Sequence, residues 1–77
     1  MAARLPALSG RSVVRAPQSA GFSVHRIKGS HHIMRHPGPP LRRVAVPVHG
    51  NADLKRAKVL GIIKQVGMTV DEFAALL

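Results

Sequence analysis

Residues 22–49 read FSVHRIKGSHHIMRHPGPPLRRVAVPVH, and this pattern predicts a small sheet. Apolar and polar side chains alternate in three runs, which predict strands at residues 22–28, 31–36 and 43–49. Gly29-Ser30 predicts a turn between the first two runs, and the Pro-Gly-Pro-Pro segment before the third permits only a loop. Because Pro47 has no N–H to donate, we expect the third strand to lie at a sheet edge or to end there.

A helix is predicted on the N-terminal side of these strands. Ser9 is a suitable N-cap and Gly21 a suitable residue after the last turn, for a helix that runs to about Ala20. Pro17 interrupts this pattern, because a proline inside a helix removes one hydrogen bond and clashes with the preceding turn, at a cost of about 3 kcal/mol. We therefore expect the helix to kink or stop near Ala16.

Two helices are predicted after the strands. Asn51 or Asp53 would cap a helix that runs to about Val66 and is closed by a glycine, with apolar residues at i, i+3, i+4 and i+7. Thr69 and Glu72 have the spacing of a capping box, which predicts a short last helix.

The predicted order of elements is therefore α-β-β-β-α followed by a helical turn. A chain of 77 residues is long enough for one small α+β domain, which we expect to span residues 1–77. The simplest architecture is a three-stranded antiparallel sheet with the helices packed on one face. Double-stranded-RNA-binding domains share this layout.

The charge of the chain points to a polyanionic partner. Twelve Lys and Arg stand against three Asp and Glu, and residues 1–52 hold eight of the basic residues and no acid. A positive field of this size attracts polyanions, namely nucleic acid, an anionic membrane or an acidic protein, and the lack of any acid in residues 1–52 favours nucleic acid. Two phenylalanines are the only aromatic residues, which argues against stacking of several bases, and the absence of cysteine excludes thiolate zinc sites and cysteine nucleophiles. No apolar run approaches the roughly 18 residues of a membrane span, so no membrane partner is expected.

Histidine is the residue type that offers chemistry in this chain. There are five, namely His25, His31, His32, His36 and His49. Neighbours on a strand face opposite ways, so His31 and His32 cannot hold one metal ion together, and we expect neither a metal nor another cofactor. His25 and His36 are read as surface residues. A histidine can instead take and return a proton near neutral pH, which RNA cleavage needs together with positive charge at the phosphate. That charge would come from Arg26, Lys28 and Arg35.

Four segments of the chain resemble the HicA-type (YcfA-like) toxins. They are GF at 21–22, RIKGSHHI at 26–33, VPVHGN at 46–51 and LGIIKQ at 60–65. The G-S-H and V-P-V-H-G-N elements are fairly specific when they occur in this order in so short a chain, and the resemblance runs from about Leu5 to Leu77. That family comprises bacterial mRNA interferases, which are RNA-cleaving toxins paired with HicB antitoxins.

The resemblance implies a double-stranded-RNA-binding-like fold, endoribonuclease activity on mRNA in the bacterial cytoplasm, and inhibition by a HicB-type antitoxin. The family's catalytic histidine follows the Gly-Ser pair, which is His31 here, and His32 is the rival because some members carry it one position later. We expect the free protein to be a monomer that needs no metal, because no metal-ligand set is visible, and His49 is read mainly as structure. The expected RNA-binding residues are Arg26, Lys28, Gly29, Ser30 and Arg35.

Two positions depart from the family pattern. Pro17 stands where members usually have a leucine-like residue, and Ala57-Lys58 stand where they usually have Gly-Thr. Both departures bear on stability more than on catalysis, because the G-S-H element is intact.

Two alternative interpretations stay open. The protein could be a non-catalytic small basic RNA-binding protein, which the charge fits equally well. Residues 1–21 also carry Arg and Ser and no acid, as a mitochondrial transit peptide does, although the same segment can be read as part of the fold.

Overall fold

The computed structural model describes residues 5–77. In chain order, its elements are α1 (Gly10–Ser19), β1 (Ser23–Lys28), β2 (His31–His36), β3 (Arg42–Pro47), α2 (Arg56–Val66) and α3 (Val70–Ala75). The strands form one antiparallel sheet in the order β1-β2-β3, and the helices pack on one of its faces. The predicted α+β class and the α-β-β-β-α order are confirmed. Within the described residues, no helix is long and apolar enough to cross a membrane.

The central strand β2 alternates its side chains between the two faces of the sheet. Met34 lies on the helix side and is fully buried, with Val24 and Val44 as its partners across the sheet. Ile33 lies on the opposite side and is only half-buried. The sheet therefore has one face against the core and one face that the helices leave open.

The core between the sheet and the helices is apolar, and the described residues include no buried polar or charged one. Its buried members are Leu8, Val13, Val14, Ala16, Phe22, Met34, Val44, Val46, Val59, Ile62, Ile63, Val66 and Phe73.

Helix α1 continues through Pro17 to Ser19, so of the two outcomes expected near Ala16, a kink or a stop, the stop is wrong. Pro17 lies in the last turn, and its ring is fully buried in the core. Its carbonyl oxygen accepts hydrogen bonds from the N–H groups of Ala20 (3.0 Å) and Phe22 (2.9 Å). Burial of the ring and these bonds offset the proline's local penalty.

The same helix is packed as part of the fold, which is the other interpretation of residues 1–21. Val13 and Ala16 are fully buried, so α1 is an integral part of the core and could not be removed without opening it. Residues 1–4 of the proposed targeting segment lie outside the described residues.

The predicted third strand is shorter than the sequence pattern suggests. It ends at Pro47 on an edge of the sheet, as the missing N–H predicts, and Val48 and His49 lie beyond it. The start of α1 packs against this strand end so closely that a Cβ on Gly10 would overlap the carbonyl oxygen of Pro47. No residue larger than glycine fits at that contact.

The prediction that Asn51 or Asp53 caps the second helix is wrong. The N-cap of α2 is Lys55, whose side chain makes no capping hydrogen bond. Asp53 pairs instead with Ser9 in an isolated antiparallel bridge. This tertiary pairing keeps the segment around Asp53 extended, so the helix begins two residues later than an Asp53 cap would allow.

Arg42 connects β3 to the end of α2. Its Nη1 atom donates a hydrogen bond to the carbonyl oxygen of Val66 (2.6 Å), and its guanidinium lies 5.4 Å from the centre of the Phe22 ring. A cation at a helix C-terminus and a cation over an aromatic face are both favourable, so this residue holds helix and sheet together.

The predicted capping box of α3 is confirmed. The N–H of Glu72 donates to Thr69 Oγ1 (3.1 Å), and the N–H of Thr69 donates to Glu72 Oε1 (2.9 Å). The backbone hydrogen bond from Thr69, followed by the side-chain one, lowers the pKa of Glu72 below its ordinary value of 4.5. One turn into this helix, Phe73 is fully buried.

We expect Phe73→Ala to destabilise the whole fold, because it leaves a cavity in the core. The free energy of unfolding should fall by about 3–5 kcal/mol in urea titrations. Leu77→Ala is the matched control, since Leu77 is 45% exposed, and its effect should stay within about 0.5 kcal/mol. Equal midpoints for both variants and the wild type would show that α3 does not contribute to the core.

Candidate active site

The face of the sheet opposite the helices carries a histidine and several cations. Alternation along β2 and the pairing with β1 and β3 define this open face. Its members are Ser23, Arg26, Lys28, His31, Ile33, Arg35, Arg43, Ala45 and Pro47. None of them is buried, and none is acidic. The open face is therefore a positively charged surface that solvent and a large ligand can reach.

The sequence-predicted site residues divide into two groups on this face. Lys28 lies directly opposite His31 across β1 and β2, and Arg26 is one pair further along, opposite Ile33. Side chains in directly opposed positions have Cβ atoms about 4.5–5.5 Å apart, so Lys28 and His31 can contact the same small group.

Arg35 does not belong to the group around His31. It lies four residues further along β2, which is about 14 Å at the rise of a strand. Its Nη1 atom lies 3.4 Å from Nδ1 of His25, and its partner across the sheet is Arg43. Arg35 therefore cannot contact a phosphate held at His31, although it faces the same side.

Sequence reasoning did not include Arg43 among the binding residues. The alternation around the valines of β3 already placed Arg43 on the side away from the core, and it is exposed on the open face. The two-residue alternation of side chains along β3 shows on which face Arg43 lies, but it does not show what Arg43 binds.

The turn before His31 has the geometry that the Gly-Ser pair predicts. Gly29 has φ +61°, a left-handed conformation that glycine adopts without strain. Ser30 is then bound twice to the segment after β3, because its carbonyl oxygen accepts from the N–H of Val48 (2.7 Å) and its Oγ lies 3.2 Å from Nε2 of His49. The G-S-H and V-P-V-H-G-N elements, 15 or more residues apart in the chain, thus meet at one end of the sheet.

The rival histidine lies on the other face. His32 pairs with Val46 on the helix side and lines a groove together with Arg11, Val14 and Val48. The residue is half-buried, and its Nδ1 atom is buried without a hydrogen-bond partner in the described part of the chain. The two candidate histidines are therefore separated by the sheet itself, and one substrate group cannot reach both.

Comparison with protein families identifies the chain. The family model of the HicA toxin of bacterial toxin–antitoxin systems matches residues 10–68, which contain α1, the whole sheet and α2. A comparison with proteins of curated function finds no match. Since the family match covers more than half of the chain and every strand of the open face, this protein belongs to the HicA toxin family.

Proposed function

We propose that this protein is an endoribonuclease that cleaves mRNA, with His31 as its proton-transfer group and a HicB-type antitoxin as its inhibitor. The observation that carries the proposal is the open face, on which an exposed histidine lies among four Lys and Arg residues with no acid beside them. Membership of a toxin family supports a cellular role in which such an activity is restrained by a partner.

The open face offers a proton acceptor and the positive charge that this chemistry needs. A ring nitrogen of His31 takes the proton of the ribose 2′-OH, and the 2′-oxygen attacks the adjacent phosphorus. The bond from phosphorus to the 5′-oxygen breaks, the 5′-oxygen gains a proton, and the products are a 2′,3′-cyclic phosphate and a 5′-hydroxyl. Lys28, directly opposite His31, stabilises the negative charge that develops on the phosphoryl oxygens.

The remaining cations of the open face bind the RNA away from the scissile bond. Arg26 lies next to Lys28 on the same side, and Arg35 and Arg43 lie together at the far end of the sheet. Contacts to successive phosphates hold one strand along the face without reading its sequence. Gly29 and Ser30 form a narrow turn over which the strand can pass.

We expect His31→Ala to reduce RNA cleavage by about 10²- to 10⁴-fold, because a positioned acid–base group is lost. RNA affinity and the thermal midpoint should stay near the wild-type values, since His31 is exposed. His32→Ala is the matched comparison and should retain most of the cleavage rate. EDTA should have no effect on either protein, because the proposed steps use no metal.

The comparison has three other outcomes, each with its own meaning. If His32→Ala loses cleavage and His31→Ala keeps it, the groove on the helix side is the active site. If both variants cleave at the wild-type rate, neither histidine is the proton-transfer group. If the wild-type protein binds RNA but leaves it intact, the protein is a non-catalytic RNA-binding module.

Salt dependence tests the role of the open face in binding. RNA affinity should fall steeply with salt, because cations on the protein displace counterions from the phosphates. Lys28→Glu should weaken RNA binding. It should also reduce the slope of a plot of the logarithm of the RNA affinity against the logarithm of the salt concentration. Lys58→Glu makes the same charge change at an exposed position of α2, and it should alter the RNA affinity and its salt dependence much less. Equal effects of the two substitutions would show that binding follows net charge and not this face.

The antitoxin should be acidic where it covers His31 and Lys28, because opposite charge speeds association, and apolar contacts should prolong the complex. Ile33 is half-buried on the open face, two residues from His31, and offers such a contact. The wild-type protein expressed alone should arrest growth, whereas His31→Ala should not. Co-expression with the acidic product of a neighbouring small gene should restore growth and give a co-purifying complex. Harmless expression of the wild type without any such partner would contradict the toxin mechanism.

A further inference from the structure

One contact at the end of the sheet is left unused by the proposed function. The Oγ atom of Ser30 and Nε2 of His49 lie 3.2 Å apart, a hydrogen-bonding distance. Ser30 directly precedes His31, so this contact places a second histidine at the same end of the sheet as the first. His49 is exposed, so solvent and a ligand can reach it.

The backbone around His49 is held in place from both sides. The N–H of Val48 donates to the carbonyl oxygen of Ser30 (2.7 Å), and the N–H of Ala52 donates to the carbonyl oxygen of His49 (2.9 Å). Two residues earlier, Pro47 lies directly opposite His31 across β2 and β3. The position of His49 beside the Gly-Ser turn is thus fixed by backbone bonds and does not depend on the imidazole.

The cleavage reaction requires two proton transfers at different atoms. One group removes the proton from the 2′-OH, and another delivers a proton to the 5′-oxygen as the bond from phosphorus breaks. These oxygens lie on opposite sides of phosphorus in an in-line displacement. A single imidazole at His31 cannot contact both at once, so a second acid is needed near it.

We infer that His49 is the general acid of this site, an inference that rests on the proposed RNA cleavage. In the imidazolium form, Nε2–H donates to Oγ of Ser30, and Nδ1–H is the proton delivered to the 5′-oxygen. His49 leaves the step neutral and His31 leaves it protonated, so one proton has entered from the 2′-OH and one has gone to the leaving group. Ser30 acts as a positioning residue that fixes the ring of His49.

The other histidines do not fit this role, and all of them lie within the described residues. His32 is on the helix side of the sheet. His25 lies beside Arg35, away from the turn. His36 packs on Phe22 with ring centres 5.3 Å apart, and its Nδ1 accepts a hydrogen bond from the N–H of Gly38 (3.0 Å).

A substrate with a better leaving group tests the inference. After the wild-type cleavage site in an RNA oligonucleotide is mapped, the same oligonucleotide is made with sulfur in place of the bridging 5′-oxygen at that site. A thiol has a pKa near 8.5, far below that of an alcohol, so the thiolate leaves without a donated proton. His49→Ala should be slower on ordinary RNA by about 10²- to 10⁴-fold and close to the wild type on the sulfur-bridged RNA.

Three variants serve as comparisons in the same assay. His31→Ala should be slow on both substrates, because removal of the 2′-OH proton is still required. Ser30→Ala should show the same pattern as His49→Ala to a smaller extent. It should cleave ordinary RNA more slowly than the wild type and sulfur-bridged RNA at close to the wild-type rate. His25→Ala, an exposed histidine away from the turn, should behave as the wild type on both.

The outcomes separate this inference from the proposed function. Equal loss on both substrates would show that His49 has a structural or binding role, and normal cleavage of ordinary RNA by His49→Ala would show that it has none. Either result overturns the inference while leaving the endoribonuclease proposal intact. Absence of cleavage by the wild-type protein, with RNA bound, overturns both.

Discussion

The register in which β2 is hydrogen-bonded to β1 and β3 is the constraint on which both the core and the open face depend. Successive side chains on a strand point to opposite faces, so burial of Met34 between Val24 and Val44 fixes the direction of every other residue in the strand. His31 then faces the open side, and His32 faces the helices. A slip of one residue would turn Ile33 or Arg35 toward the core in place of Met34 and exchange the faces of His31 and His32, which is why the apolar core also determines the chemistry.

Contacts between distant parts of the chain assemble the end of the sheet where the proposed chemistry takes place. Gly10 allows the start of α1 to approach the carbonyl oxygen of Pro47, and the short bond from Val48 N–H to the carbonyl of Ser30 joins the end of β3 to the Gly-Ser turn. Because these contacts are made by backbone atoms, the position of the turn is held by the fold. The side chains of His31 and His49 remain free to act on a ligand.

Elsewhere, tertiary contacts overrule what the local sequence favours. Pro17 belongs at a helix end by its own chemistry, yet α1 continues past it because the core buries the proline ring. Asp53 is a good N-cap by type, yet it pairs with Ser9 and leaves the start of α2 to Lys55. In both cases, the gain from long-range packing or pairing exceeds a local preference of at most a few kcal/mol.

The sequence alone determined the three strands, the Gly29-Ser30 turn, the capping box at Thr69 and the resemblance to HicA toxins, because alternation, turn residues and caps depend on neighbours within a few positions. It also placed His31 and Lys28 near the turn that brings them together. Only the tertiary structure decided that Arg35 is remote from His31, that Arg43 shares the open face and that His49 meets Ser30. Those relations depend on which residues of different strands lie opposite one another and on which backbone segments come close together. Both are properties of the folded chain, and neighbours in the sequence do not determine them.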